Sequence, residues 1–238
     1  MILIIASVLP AILLWLYTCK KDAQPEPMRQ MLKAFLYGAL ICLPVSFVEQ
    51  RLGAMLFGPE GNPSTLIGST VQAFLVAAVP EEAFKLLALW IVLFKNPFFD
   101  EHFDGIVYAV CVGLGFAAVE NLGYVLGNAD AWFTIALSRA LLAVPGHYAF
   151  AVFMGYYYSL FHFGQKNAKN LLSIFFVPVL AHGCYDAFAL SGSVEPVLGG
   201  ISFIVLVYFC VKMHKNAYQK MMAQVKRDDH DRLMGVIK

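Results

Sequence analysis

Several ionisable side chains lie inside apolar stretches of this sequence, where they could carry acid–base chemistry or bind a metal. In the stretch VPEEAFKLLALW, Glu81, Glu82 and Lys85 are the only charged residues of an apolar run that extends from 66 to 94. Each charge near the centre of a membrane-spanning helix raises the free energy of membrane insertion by roughly 2.5–3.5 kcal/mol. A leucine or phenylalanine lowers it by only about 0.3–0.6 kcal/mol. The three charges therefore need a structural or catalytic reason.

Three further apolar segments carry ionisable groups. They hold Glu120 in GFAAVENLGY, Arg139 and His147 in SRALLAVPGHYAF, and His182 and Asp186 in LAHGCYDAF. Ionisable groups at such depths normally face the interior of a helix bundle and pair with one another. We therefore expect these side chains to meet the first group in a shared polar centre.

Sequence spacing places several of these residues on common helix faces. Pairs that are four residues apart are Glu81 and Lys85, Phe116 and Glu120, and His182 and Asp186. Residues at i and i+4 lie on the same face of a helix. Three helices can therefore each turn a polar stripe toward one centre, at mid-membrane or in the outer half of the bilayer.

Carboxylates outnumber cations in this set. The carboxylates are Glu81, Glu82, Glu120 and Asp186, and the cations are Lys85 and Arg139. Four ionised carboxylates at low dielectric would repel one another strongly, so at least one is expected to have a raised pKa. A carboxylate whose pKa lies near neutral pH is suited to act as a general base. A single pair such as Glu81 and Lys85 could equally be an ion pair that fixes helix register, but the unmatched carboxylates favour a reactive site.

The composition requires membrane helices to position these residues. Of the 238 residues, 60% are hydrophobic and 14% are charged, whereas a soluble globular domain has about 25% charged residues. The sequence predicts an all-α, polytopic transmembrane bundle of about seven helices. Apolar runs long enough to span a bilayer, about 20 residues each, lie at 1–18, 31–50, 66–94, 105–127, 131–162, 170–190 and 196–213.

The basic residues predict the orientation of the chain in the membrane. Most of the 17 lysines and arginines fall in the loops and tail of one side, which the positive-inside rule assigns to the cytoplasm, with the N-terminus outside. Residues 1–213 are predicted to form the transmembrane domain and 214–238 a basic cytoplasmic tail. The tail is interpreted either as a short amphipathic helix on the inner leaflet or as a solvated segment. Pro80 and Pro145 are expected to kink or split their helices.

Three motifs on successive apolar segments resemble those of the PrsW family of intramembrane proteases, which is related to the CAAX protease and Abi superfamily. The motifs are EExxK at Glu81, Glu82 and Lys85, FxxxE at Phe116 and Glu120, and HxxxD at His182 and Asp186. The resemblance covers a catalytic core of about 66–190. It implies a glutamic-type membrane endopeptidase.

The resemblance also implies a role for each motif residue. Glu81 would activate a water molecule, and Glu82 and Glu120 would position that water or share its proton. His182 would donate a hydrogen bond to the developing oxyanion, and Asp186 would orient His182 or donate as well. Lys85 would tune Glu81, with His147, Arg139 and Phe116 as supporting residues.

A metal-dependent version of the same reaction stays open at this point. The CAAX branch carries FxxxH and HxxxN, where this chain has Glu120 and Asp186. Glu81, Glu120, His182 and Asp186 could therefore hold a divalent, zinc-like metal, although no cofactor is the first expectation. The five cysteines show no CxxC spacing, so neither a disulfide framework nor a thiolate metal site is indicated. No HExxH or GxSxG motif occurs.

The resemblance implies a multi-pass protein of the bacterial cytoplasmic membrane. Its expected partners are the lipid bilayer and a single-pass membrane protein or peptide substrate, such as an anti-sigma factor cleaved near its outer face; no nucleic-acid partner is expected. Two other functions stay open on the sequence alone. One is an ion-coupled transporter that uses the buried carboxylates as a proton or metal pathway. The other is a non-catalytic membrane scaffold or receptor.

Overall fold

The structure, a computed structural model, describes residues 1–164 and 166–236. Gln165 and the last two residues of the predicted 214–238 tail lie outside the described residues. The described residues form α-helices joined by short turns, which confirms the all-α prediction. The helices are α1 (Ile2–Cys19), α2 (Met28–Phe57), α3 (Leu66–Val71), α4 (Val79–Leu93), α5 (Asp104–Gly127), α6 (Trp132–Ser138), α7 (Val144–His162), α8 (Ala168–Val194) and α9 (Pro196–Leu233).

These helices form the seven predicted segments, because α3 runs into α4 and α6 into α7. Within the described residues, six segments are long and apolar enough to cross a membrane. The exception is the third segment, which contains Glu81, Glu82 and Lys85. Large apolar side chains are exposed along α1, α2 and α9, as expected for helices that face lipid. The chain is a multi-pass membrane protein.

Helix α5 is the centre of the bundle. Every side chain from 101 to 118 is buried, and α5 packs against α1, α2, α4 and α7. A helix that is apolar around its whole circumference is expected in such a position. At Gly115 the backbones approach so closely that an added Cβ would lie 2.1 Å from the carbonyl oxygen of Phe35 on α2. Small residues permit such contacts between membrane helices.

The third and fifth segments are irregular near their prolines, as predicted, and the irregularity is the same in both. A π-helical turn at Gln72–Ala78 precedes Pro80, and a second at Arg139–Ala143 precedes Pro145. Each proline then lies in the first turn of the following α-helix, where its missing N–H costs least. π-Helical turns occur frequently at functional sites, and here they place Glu81, Glu82 and His147 in the first turns of α4 and α7.

The C-terminal part of the chain adopts neither of the two predicted forms. Helix α9 continues without a break from Pro196 to Leu233, so the tail is an extension of the last membrane helix. Its side chains Met221, Gln224 and Asp228 are buried against the rest of the protein. The physical reason is that these residues find partners in the loop before α5 and at the end of α7, which a helix-by-helix interpretation of the sequence does not show.

Candidate active site

The predicted polar residues of α4, α5, α7 and α8 converge in one buried cluster. Lys85 lies near its middle, with Nζ 2.9 Å from Glu81 Oε2 and 2.9 Å from Glu82 Oε1. The same Nζ lies 3.0 Å from Nδ1 of His147 on α7. Because all four residues are buried, these contacts are shielded from solvent and electrostatically strong.

His182 joins α8 to this cluster. Its Nδ1 lies 2.9 Å from Glu82 Oε1, and its Nε2 lies 3.9 Å from Glu81 Oε1 and 3.2 Å from Asp186 Oδ2. The imidazole stacks on the ring of Phe150 with the ring centroids 4.7 Å apart. Three carboxyl groups and one aromatic ring therefore fix the orientation of His182.

Glu120 is connected to the cluster through His147. The Glu120 Oε2 atom lies 2.9 Å from His147 Nε2 and 2.6 Å from Arg139 Nη2. Arg139 also donates through Nε to the side-chain oxygen of Asn121, at 2.9 Å. Arg139 thus holds Glu120 in place from the π-helical turn, and charged groups inside membranes usually pair in this way.

Aromatic and small residues shape the cluster. The Lys85 ammonium lies 4.3 Å from the centroid of the Phe116 ring, so Phe116 supports the lysine through a cation–π contact. Gly183, next to His182, allows Phe74 of the first π-helical turn to pack on α8; an added Cβ would lie 2.3 Å from that ring. This close approach brings the glutamates of α4 to His182.

A cavity of about 880 Å³ adjoins the cluster and reaches the helix ends at Asn128 and Gly192. Glu81, Glu120, His147, His182 and Asp186 all line it. These helix ends lie on the side that the basic residues predict to be extracellular. The cavity therefore offers water a route to otherwise buried carboxylates.

Glu49 of α2 is a cavity residue that the sequence interpretation missed. It lines the cavity together with Gln72 and Glu81, and its carboxyl lies close enough to that of Glu81 for the two groups to interact. Like charges at such a distance repel each other, so Glu49 affects the electrostatics at Glu81. Its position at the end of the apolar run 31–50, beside Gln50 and Arg51, makes it look like an ordinary helix-end charge.

His147 and His214 also make structural contacts at the site that the sequence did not indicate. His147 bridges Lys85 and Glu120, whereas it was predicted only as a supporting residue. His214 on α9 lies with Nε2 2.9 Å from the carbonyl oxygen of Pro145. It thereby supports the irregular backbone that presents His147. A single histidine at the end of the last apolar run, as His214 is, gives no sequence signal that distinguishes it from a packing residue.

The side chains present fit a divalent metal, but not through the four residues that the sequence predicted. One ligand atom each from Glu81, His147 and His182 lies within 4.8 Å of the others. Glu120 instead faces Arg139 and the far nitrogen of His147, and Asp186 lies beside His182. His147 therefore takes the place predicted for Glu120 and Asp186 in the closest ligand group.

The surroundings of the two histidines strengthen this fit. The far ring nitrogen of His147 contacts Glu120, and that of His182 contacts Glu82, each at 2.9 Å. Metal-bound histidines usually have such a carboxylate on their second nitrogen, and three protein ligands beside a water-accessible cavity are typical of catalytic zinc sites. Lys85 lies against both Glu81 and His147, so a bound dication would require this ammonium to move away.

Comparison with known proteins identifies relatives that match most of the chain. Residues 26–213 match the model of the PrsW family intramembrane metalloproteases. The chain is 34% identical to protease PrsW of Geobacillus kaustophilus over 217 residues, covering 90% of this chain and 92% of that protein. It is 34% identical to protease PrsW of Bacillus subtilis over 227 residues, covering 94% of this chain and 99% of that protein.

A third relative is protease PrsW of Clostridioides difficile, which is 31% identical over 230 residues, covering 94% of this chain and 93% of that protein. No solved structure matches this chain. The matched region of the family model contains every residue of the buried cluster.

Proposed function

This chain belongs to the PrsW family of intramembrane proteases, and from that membership we propose that it hydrolyses a peptide bond of a membrane-protein substrate beside Glu81. Residues 66–190 are the proposed catalytic core of a transmembrane domain that extends over 1–213. The observation that carries the proposal is the position of Glu81. Its carboxylate is buried, lies beside two imidazoles, and lines the large cavity.

In the proposed reaction, Glu81 acts as the general base. A water molecule in the cavity gives its proton to the Glu81 carboxylate while its oxygen forms a bond to the scissile carbonyl carbon. The carbonyl electron pair moves to oxygen, and His182 donates a hydrogen bond to that oxyanion. The carbon–nitrogen bond then breaks, and Glu81 passes its proton to the leaving amine.

The other residues of the cluster position Glu81 and His182. Lys85 holds Glu81 and Glu82 through contacts of 2.9 Å, and Glu82 and Asp186 hold the ring of His182. Preorganised partners of this kind spare the site from rearranging as charge develops. Glu49, which lines the cavity with Glu81, is proposed to help hold the Glu81 carboxyl in place for the reaction.

A metal would be held by Glu81, His147 and His182. As a Lewis acid it would activate water and polarise the scissile carbonyl. In that version Glu82 and Glu120 keep the two imidazoles oriented. A chelator that stops cleavage, with recovery on adding zinc, would support the metal version; cleavage that continues after the metal content has been reduced to zero would exclude it.

The proposed substrate is a single-pass membrane protein, such as an anti-sigma factor, cut in the outer half of its span. The side on which the cavity reaches the helix ends supports this position. The test co-expresses an anti-sigma factor with the wild-type chain or with His182→Gln and maps the new termini by mass spectrometry. The proposal expects outer-half termini that disappear in His182→Gln. Proton flux in proteoliposomes without any peptide cleavage would overturn it in favour of a transporter.

A further inference from the structure

A second group of potential metal ligands lies far from the active site, where the end of α9 meets the loop before α5. Asp228 of α9 is fully buried. Its two oxygens accept hydrogen bonds from the backbone N–H groups of His102, at 2.9 Å, and Phe103, at 2.7 Å. Helix α5, from Asp104 to Glu120, separates this place from the active site by about 24 Å.

Three side chains supply the ligand atoms. One atom each from His102, Asp228 and Asp231 lies within 4.8 Å of the others. His102 is 7% exposed, and its Nδ1 is buried without a hydrogen-bond partner among the described residues. A buried polar atom without a partner is uncommon and needs an explanation, and a missing ligand would provide one.

The basic side chains nearby form their ion pairs with residues outside this group of ligands. Arg232 is directed to other acids, with Nε 3.3 Å from Glu101 Oε1 and Nη1 3.4 Å from Asp229 Oδ1. The charge of Arg227, which precedes Asp228 on α9, acts on His102, and the charge of Arg232 acts on Asp228. One imidazole and two carboxylates therefore share a small space with no cation bound directly between them in the described part of the chain.

We propose that His102, Asp228 and Asp231 bind a divalent first-row transition-metal ion that fastens the end of α9 to the loop before α5. One imidazole nitrogen with two carboxylate oxygens is a ligand set that zinc, manganese and iron accept. Asp228 serves twice, since it also caps the backbone before α5. The ion would order the C-terminal extension, which packs on the tyrosines at the end of α7, where Lys220 Nζ lies 3.1 Å from Tyr157 Oη.

The test measures zinc binding to the purified full-length chain in detergent micelles by equilibrium dialysis. The variants are His102→Gln and Asp231→Asn, which leave the Asp228 cap in place. Loss of an outer-shell partner alone weakens metal binding by about 10- to 100-fold, so loss of a direct ligand should weaken it at least as much. Each variant is expected to bind one zinc per chain fewer than the wild type, whatever the active site binds.

Matched controls are Asp229→Asn and His230→Gln, which change exposed neighbours outside the group. Both are expected to keep the wild-type zinc content. A second readout is tryptic cleavage after Lys226, which zinc should slow in the wild type and leave unchanged in Asp231→Asn. Equal zinc content in the wild type and both ligand variants would overturn the proposal, as would an equal loss in the controls, which indicates only unspecific surface binding.

Discussion

Lys85 is the counter-charge of the buried cluster, and its removal should be costly. Lys85→Met keeps a side chain of similar length but leaves Glu81 and Glu82 without the ammonium that lies 2.9 Å from each. Removing one partner of a buried ion pair typically costs about 3–5 kcal/mol, because an uncompensated charge stays buried. For a chain of this size, about 2–4 °C of melting temperature corresponds to 1 kcal/mol, so the expected drop is roughly 6–20 °C.

The assay is thermal unfolding of the purified protein in detergent, with exposed Lys215→Met as the matched control. The drop should be smaller when Lys85→Met is made in a Glu82→Gln background, because one of the two carboxylates no longer needs a counter-charge. Residues in one such network couple by about 0.5–3 kcal/mol. A melting temperature for Lys85→Met equal to that of Lys215→Met would refute the claim that Lys85 neutralises these glutamates.

Three further changes test other parts of the structure. Gly115→Ala should destabilise the protein by about 1–3 kcal/mol, because its Cβ would meet a backbone carbonyl of α2. Gly123→Ala should not destabilise it, because there is open space around Gly123. Thermal unfolding of the two variants compares them. Arg139→Met should cost about 1–3 kcal/mol and slow substrate cleavage, because Glu120 loses its 2.6 Å partner; unchanged stability would contradict this. Glu49→Gln should slow cleavage about 10- to 100-fold, like loss of an outer-shell partner, at an unchanged amount of inserted protein, and full activity would remove Glu49 from the site.

The bundle and most of the site residues could be predicted because each signal lies within one helix. Apolar runs define the segments, and i, i+4 spacing predicts that Glu81 and Lys85, or His182 and Asp186, share a face. The cost of burying charge in lipid then predicts that such faces meet. The structure places these side chains in one cluster, as this reasoning expects.

What could not be predicted depends on contacts between distant segments. Glu49 at the end of an apolar run and Asp228 in a mixed-charge tail resemble solvated residues until α2 is placed beside Glu81 and α9 beside His102. The group of possible metal ligands contains His147, where the sequence predicted Glu120 and Asp186. This difference also depends on contacts between distant segments. The π-helical turns rotate the side chains that follow them, and regular helical spacing does not include such a rotation.

The most direct test of the central claim is the cleavage rate of Glu81→Gln in reconstituted membranes. The substrate is a membrane protein that the wild-type chain is found to cleave, with the proposed anti-sigma factor tried first, and exposed Glu195→Gln is the control. General-base catalysis contributes about 10²–10⁴-fold, so Glu81→Gln should lose at least about a hundredfold in rate while inserting normally, and Glu195→Gln should match the wild type. Cleavage by Glu81→Gln at the wild-type rate would contradict the assignment of Glu81 as the group that activates water.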